Sequence, residues 1–158
     1  MKQAIILAAG EGQRLRPFTV SRPKVMLSAG GKPILRHVVE ALAQCNIRDI
    51  IIVVGYHREQ IFDVVGDGAD MGVTIRYAIQ ECQAGTAHAL GQTAALAADE
   101  FLLLPGDHLI KPDTIRDFVA VQPWALLTAR VPENQTVRYG VVKIDSGMVQ
   151  SVIEKPKD

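Results

Sequence analysis

The chain has 158 residues, 48% of them hydrophobic and 22% charged, a composition that fits one soluble globular domain with enough chain to bury a sizeable core. Seventeen basic and seventeen acidic side chains cancel, so no net field favours nucleic acid or an anionic membrane, and any anion site has to be local. The two cysteines, Cys45 and Cys82, have neither metal-ligand spacing nor the density of a secreted disulfide framework.

The run from Met1 to Leu7 is too short before Gly10 to be a secretion signal, and no stretch reaches the length of a bilayer span, so a cytoplasmic location is expected. Lys2 to Ala8 is a continuous apolar run that stops at glycine, as a strand covered on both faces does. A loop rich in Gly, Arg and Pro follows. Pro33 then opens a helical pattern with Ile34, Leu35, Val38, Val39 and Leu42 on one face, and Asp49 to Val54 is a second apolar strand. Ile61, Val64 and Val65 mark a short helix. Val73, Ile75, Tyr77 and Ile79 alternate as a half-buried strand, and Thr86 caps or begins another helix. Phe101 to Leu104 predicts a strand ending at Pro105-Gly106-Asp107, Ile115, Phe118 and Val119 a helix, and Ala125 to Val131 a further strand.

This alternation predicts an α/β class, a three-layer Rossmann-like sandwich with a mostly parallel central sheet and a binding crevice beyond the carboxyl ends of its strands. The tail differs: Val141–Ile144 and Val149–Ile153 flank Asp145-Ser146-Gly147, which reads as a hairpin and makes the expected sheet mixed. One domain over residues 1–158 is expected.

The segment Leu7-Ala8-Ala9-Gly10-Glu11-Gly12-Gln13-Arg14-Leu15-Arg16-Pro17 sets two glycines and two arginines directly after the first strand. Glycine lets backbone N–H groups approach phosphate oxygens, and the arginine fork pairs with phosphate through two hydrogen bonds. By itself the loop is equally compatible with a strand-to-helix turn carrying solvated arginines. Two familiar phosphate loops do not match. A dinucleotide fold asks for a third glycine and an acidic residue closing the second strand, where Leu15 and Val54-Gly55-Tyr56 stand. A P-loop asks for Gly-Lys before Ser or Thr, and Gly31-Lys32 precedes Pro33.

Together with Ser21-Arg22-Pro23-Lys24-Val25-Met26-Leu27, Gly31-Lys32-Pro33-Ile34-Leu35, Gln83-Ala84-Gly85-Thr86-Ala87-His88-Ala89-Leu90, Gly106-Asp107, and Tyr139-Gly140-Val141-Val142 with Glu154-Lys155-Pro156, this loop resembles the sugar-1-phosphate nucleotidyltransferases. The likeness runs along the whole chain and is greatest to glucose-1-phosphate thymidylyl- or uridylyltransferases and N-acetylglucosamine-1-phosphate uridylyltransferases. It implies that a sugar phosphate oxygen attacks the α-phosphorus of a nucleoside triphosphate, dTTP or UTP, giving an NDP-sugar and pyrophosphate. Catalysis is then mostly positioning and charge neutralisation.

By that resemblance Leu7, Ala8, Ala9, Gly10, Gly12 and Arg14 hold the triphosphate, and Arg14 and Lys24 are the catalytic residues, Lys24 against the α-phosphate. Gln80, the backbone around Gly85, and Thr86 face the base; a side-chain amide offers both donor and acceptor to a pyrimidine edge. Gly140, Glu154 and Lys155 take the sugar phosphate, Gly140 and Glu154 at the sugar hydroxyls and Lys155 at the phosphate; the last two could otherwise be an exposed strand-end pair. Asp107 ends an apolar strand, where a carboxylate needs a partner, and is expected to bind Mg2+ or else to cap the next helix. His108 is left out of the metal set because magnesium prefers oxygen.

Gln13 stands where the family usually has Thr, and Pro105-Gly106-Asp107-His108 partly resembles mannose-1-phosphate guanylyltransferases, a second candidate activity. Family domains continue beyond Glu-Lys-Pro, so the chain is expected to be the N-terminal part of a catalytic domain. A nucleotide-binding or regulatory module without turnover is the other reading; a molybdopterin-type transferase shares the first loop but not Tyr139-Gly140 or Glu154-Lys155-Pro156. The expected partners are a nucleoside triphosphate and a sugar 1-phosphate, not nucleic acid or membrane, with room for a homo-oligomer.

Overall fold

The computed structural model describes residues 2–121 and 124–156. It divides into two compact units, Met1–Pro123 and Trp124–Asp158. The first unit is built on β1 (Gln3–Leu7), β2 (Ser28–Ala29), β3 (Lys32–Pro33), α1 (Ile34–Gln44), β4 (Asp49–Val54), α2 (Arg58–Val65), β5 (Thr74–Ile79), α3 (Thr86–Gly91), β6 (Leu102–Pro105) and α4 (Pro112–Val119). Its central sheet has the order β5-β4-β1-β6, and all three pairings are parallel, with Ile5 opposite both Ile51 and Leu103.

The apolar runs of β1 and β4 are continuous because both faces of the sheet are covered. Ala4, Ile6, Ile50, Ile52, Val54, Leu102 and Leu104 pack with Leu35, Val38, Val39 and Leu42 of α1, Ile61 and Val65 of α2, and Ile115 of α4. The alternate residues Ile5, Ile51, Val53 and Ala78 pack with Ala89 and Leu90 of α3 and with Leu96, Ala97 and Phe101 beyond it. Period-two alternation thus sends each strand's side chains into two separate cores. The result is the expected three-layer α/β arrangement.

The order of the strands places a switch point beside β1. The crossovers through α1 and α2 lead away from β1 to β4 and β5 on one face, whereas the chain after β5 returns through α3 on the other face and lays down β6 on the far side of β1. At such a point the loops leaving neighbouring strands diverge and open a crevice at the carboxyl edge.

At the opposite edge, Gln3 is buried and its Nε2 donates to Asp49 Oδ2 (2.7 Å) while its Oε1 accepts from Ala98 N (2.7 Å). Arg76 also donates to Asp49, at 2.8 Å. This polar cluster ties β1, β4 and β5 together away from the crevice.

In the second unit β7 (Gly140–Asp145) and β8 (Met148–Glu154) pair antiparallel. Ser146 and Gly147, with φ of 50° and 80°, make the two-residue turn whose left-handed backbone matches strand twist. The expected hairpin is therefore present, but its strands pair with each other in a sheet of their own, and the four-stranded sheet is parallel throughout. A short hairpin not foreseen from sequence, β2–β3, turns at Gly30-Gly31.

One strand expectation fails. Residues 125–131 form no strand, and Leu126 and Leu127 are exposed. An apolar run records a capacity for burial, but a strand also needs a neighbour for its N–H and C=O groups, and this segment has none among the described residues.

Candidate active site

The residues singled out in the first unit gather at the carboxyl edge of the parallel sheet. Ala8 and Ala9 continue β1 and are buried; Ala8 N donates to Val53 O at 2.8 Å and Tyr56 N to Ala9 O at 3.3 Å, which holds the loop root against the end of β4. Gly12 has φ 71°, and a Cβ there would lie 2.8 Å from Cβ of Lys24. Glycine is required for the left-handed turn and for the approach of the Lys24 stem. Gln13–Leu15 then forms one turn of 3-10 helix.

Within this loop the charges are divided. Arg16 donates to Glu11 Oε1, and Gln13 Nε2 donates to Glu11 Oε2 at 2.8 Å; these hydrogen bonds hold the Glu11 carboxyl below its ordinary pKa. Arg14 is exposed and makes no side-chain hydrogen bond or ion pair among the described residues. The loop therefore neutralises its own carboxylate with one arginine and leaves the other available to an anion.

Lys24 comes from a short 3-10 turn whose Val25 and Met26 anchor in the core. Its Nζ donates to Asp107 Oδ2, which follows β6. Gly106 brings that aspartate in: its N donates to Leu7 O at 2.9 Å, and a Cβ would stand 3.1 Å from Leu7 O and from Val25 Cγ1. Burial pushes the Asp107 carboxyl up, but the hydrogen bond and charge of Lys24, with a smaller contribution from His108, prevail and leave its pKa below the usual value. Asp107 does not cap the following helix, whose N-cap is Lys111. His108 Nε2 lies 4.0 Å from Asp107 Oδ1.

On the other flank of β1, Gln80 directly follows β5 and is buried. Its N donates to Val54 O at 2.8 Å, and its Nε2 donates to Gly85 O at 3.2 Å. Gln83 Nε2 donates to Ala9 O at 3.1 Å, tying this segment to the loop root. Gly85, with φ 96°, is the N-cap of α3, so Thr86 begins the helix and makes no capping bond.

The second unit brings its three candidates together as well. Gly140 pairs with Glu154 across the hairpin, and a Cβ on Gly140 would lie 3.1 Å from Glu154 Oε2. Lys155, at φ 45°, sets its Nζ 3.4 Å from Glu154 Oε1, so two adjacent residues reach the same place despite strand alternation. Glu154 and Lys155 are both exposed.

Four contributors went unrecognised in the sequence. Thr19 is fully buried and donates from Oγ1 to Gly12 O at 3.0 Å. Tyr56 donates to Val20 O at 2.7 Å, bracing the same loop from β4. Gly55 lies where a Cβ would stand 2.9 Å from Gln80 O and 3.1 Å from Ala9 O; a glycine immediately after an apolar strand was the available signal. The Glu11–Arg16 pair could have been suspected from opposite charges in one loop.

Among the described residues no helix is long and apolar enough to cross a membrane. Comparison with known proteins finds a match to the nucleotidyl transferase family model over residues 3–158. A UTP–glucose-1-phosphate uridylyltransferase of Haloferax volcanii is 39% identical over 99% of this chain and 66% of its own length. A glucose-1-phosphate thymidylyltransferase of Streptomyces griseus is 37% identical over 98% of this chain and 44% of its own. The crystal structure of a protein assigned as a glucose-1-phosphate thymidylyltransferase from Bacillus anthracis, in complex with a sucrose, superposes with a TM-score of 0.80 at 28% identity, covering 99% of this chain and 65% of that one. The chain thus spans less than two thirds of the length of these relatives, and with a parallel sheet, a glycine loop after its first strand and a family match along nearly every residue, it belongs to the nucleotidyl transferase family.

Proposed function

We propose that the protein transfers a nucleotidyl group from UTP or dTTP to a sugar 1-phosphate, releasing pyrophosphate. The observation that carries this reading is the meeting of Gly12, Lys24 and Asp107 at the switch point of the sheet, with Arg14, in the same loop as Gly12, making no side-chain hydrogen bond or ion pair among the described residues. Leu7, Ala8, Ala9, Gly10 and Gly12 supply a path for the triphosphate that side chains do not obstruct, and Arg14 pairs with its oxygens. Lys24 exchanges the Asp107 carboxylate for the α-phosphate, whose negative charge grows in the transition state. A fixed cation there lowers the barrier more than it stabilises the bound substrate.

Asp107 fits magnesium by the chemistry of its donor set. No cluster of three His, Cys, Asp or Glu occurs among the described residues; Asp107 offers one partly open carboxylate, and magnesium typically accepts one or two carboxylates while keeping phosphate oxygens and waters. When bound, the metal supplies positive charge to the phosphate oxygens. Gln80, Gly85 and Thr86 face the base in this reading, and Gly140, Glu154 and Lys155 the sugar phosphate. The named relatives act on glucose 1-phosphate, which makes it the first acceptor to try. A cytoplasmic setting completes the proposal, since nucleoside triphosphates are drawn from that pool.

The test is pyrophosphate release with Mg2+, UTP or dTTP, and glucose 1-phosphate. Release that depends on both substrates supports the proposal. Tight triphosphate binding with no release for any sugar phosphate would leave a binding module in its place.

A further inference from the structure

One residue of the 83–90 segment has no role in the account above, yet it makes one of the closest polar contacts there. His88 Nδ1 lies 2.9 Å from Gln80 Nε2. The same Nε2 donates to Gly85 O at 3.2 Å. A carbonyl oxygen can only accept, so Gly85 decides which end of the amide points its way, and that end carries two hydrogens. One goes to Gly85. The other is directed at His88 Nδ1, which must then be the bare nitrogen of a neutral imidazole, with the proton on Nε2.

Gln92 Nε2 lies 3.4 Å from His88 Nε2 but also donates to His88 O at 3.2 Å. A neutral imidazole has a single bare nitrogen and can accept from one of the two amides only. The contact at 2.9 Å takes it, and Gln92 is satisfied by the carbonyl. Both hydrogens of the Gln80 amide are therefore committed within the protein. Its Oε1 accepts from no group among the described residues, and since no fully buried side-chain oxygen lacks a partner, this atom retains contact with solvent.

We infer that His88 is a positioning residue for nucleotide selection: by accepting the second amide hydrogen of Gln80 it turns that side chain into a pure acceptor. This rests on the assignment of Gln80 to the base. A pure acceptor suits a base whose pairing edge carries a ring N–H, as uracil and thymine do at N3. It opposes cytosine, whose N3 is bare, and adenine, whose N1 is bare. Without His88 the second amide hydrogen is uncommitted, so the side chain offers a donor beside its acceptor and the discrimination is lost while the phosphate contacts remain. Sequence alone left Gln80 able to offer either end; the contact with His88 removes one of them.

The test is titration calorimetry of the full chain with Mg2+-UTP and Mg2+-CTP, alongside His88→Leu, His88→Asn and Gln80→Leu. His88 is exposed, so its replacement leaves the core intact. The native chain is expected to favour UTP by about tenfold or more, as a site built around one hydrogen-bond polarity does. His88→Leu should bring that ratio to within about threefold of unity, and His88→Asn, whose Oδ1 can stand in for Nδ1, should keep it. A purely structural role would weaken both nucleotides alike and leave the ratio unmoved. An unchanged ratio in His88→Leu with a lost one in Gln80→Leu overturns the role of His88 and leaves Gln80 in place. A ratio unchanged in both variants, or a native chain that does not separate or does not bind the two nucleotides, overturns the base assignment as well. Loss in His88→Asn equal to that in His88→Leu means that ring bulk matters rather than the acceptor, and also overturns the inference.

Discussion

Lys24 and Asp107 lie 83 positions apart in the chain, yet the ammonium of one donates to the carboxylate of the other across the switch point between β1 and β6. The side chains are 38% and 21% exposed, so the pair is open enough for a ligand to enter and shielded enough for charge to count. On the proposed function, each residue holds the other in place until a phosphate and a metal take over both partnerships.

Replacing either member separates the two tasks. Lys24→Ala is expected to lower the rate of pyrophosphate release by about a hundredfold or more, the usual cost of losing one fixed group that stabilises transition-state charge. Asp107→Asn is expected to weaken the response to magnesium: the concentration for half-maximal rate should rise. A rate unaffected by the first change, or a magnesium titration unaffected by the second, contradicts the assigned role.

Arg14 offers the cleanest separation of binding from folding, because it has no side-chain partner among the described residues. Arg14→Ala should leave the unfolding free energy within about 0.5 kcal/mol, as for surface substitutions generally. Triphosphate affinity should nevertheless fall by about tenfold or more, the worth of a charge-assisted hydrogen bond. Denaturant unfolding and nucleotide titration on the same preparation check both halves.

Much of this was legible in the sequence, for identifiable reasons. The boundaries of β4 fall at Asp49 and Val54 as the apolar run predicts, because a strand covered on both faces shows no alternation to confuse the reading. The glycine loop, Lys24 and Asp107 could be named from their motifs, but not their pairing, which depends on the strand order that places β6 next to β1. Residues 125–131 misled because hydrophobicity carries no information about a hydrogen-bonding neighbour. Thr19 and His88 were invisible because their meaning lies in partners, Gly12 O and the Gln80 amide, that only the folded chain supplies.

Gly55→Ala tests the junction of loop root and base segment. The added Cβ would meet backbone oxygens at 2.9 Å and 3.1 Å, and backbone cannot move aside as a flexible side chain does. A stability loss of roughly 1–3 kcal/mol is expected, the typical cost of overpacking, measured by denaturant unfolding. A neutral substitution would mean that the two segments are less closely joined.

Tyr77 supplies a pH signature. Burial, with a contribution from the Asp67 charge, pushes its hydroxyl up to about 12 from the ordinary value of 10.0, and that hydroxyl donates to Gly66 O at 2.6 Å. A group whose pKa is raised on folding stabilises fully below its unfolded pKa and loses that contribution as pH rises through the folded value. Between pH 10 and about 12 the native protein should therefore lose stability more steeply than Tyr77→Phe. Parallel slopes from denaturant unfolding across that range would contradict it.

On the proposed function, the glycine loop and the Lys24–Asp107 pair form a site for a magnesium-bound nucleoside triphosphate. Its most direct test is thermal unfolding of this chain with Mg2+ and each of UTP, dTTP, CTP, ATP and GTP. A ligand at about a hundred times its dissociation constant adds roughly 2.7 kcal/mol, a shift that should appear for UTP or dTTP and diminish in Arg14→Ala. An unfolding temperature unmoved by every triphosphate would contradict the account.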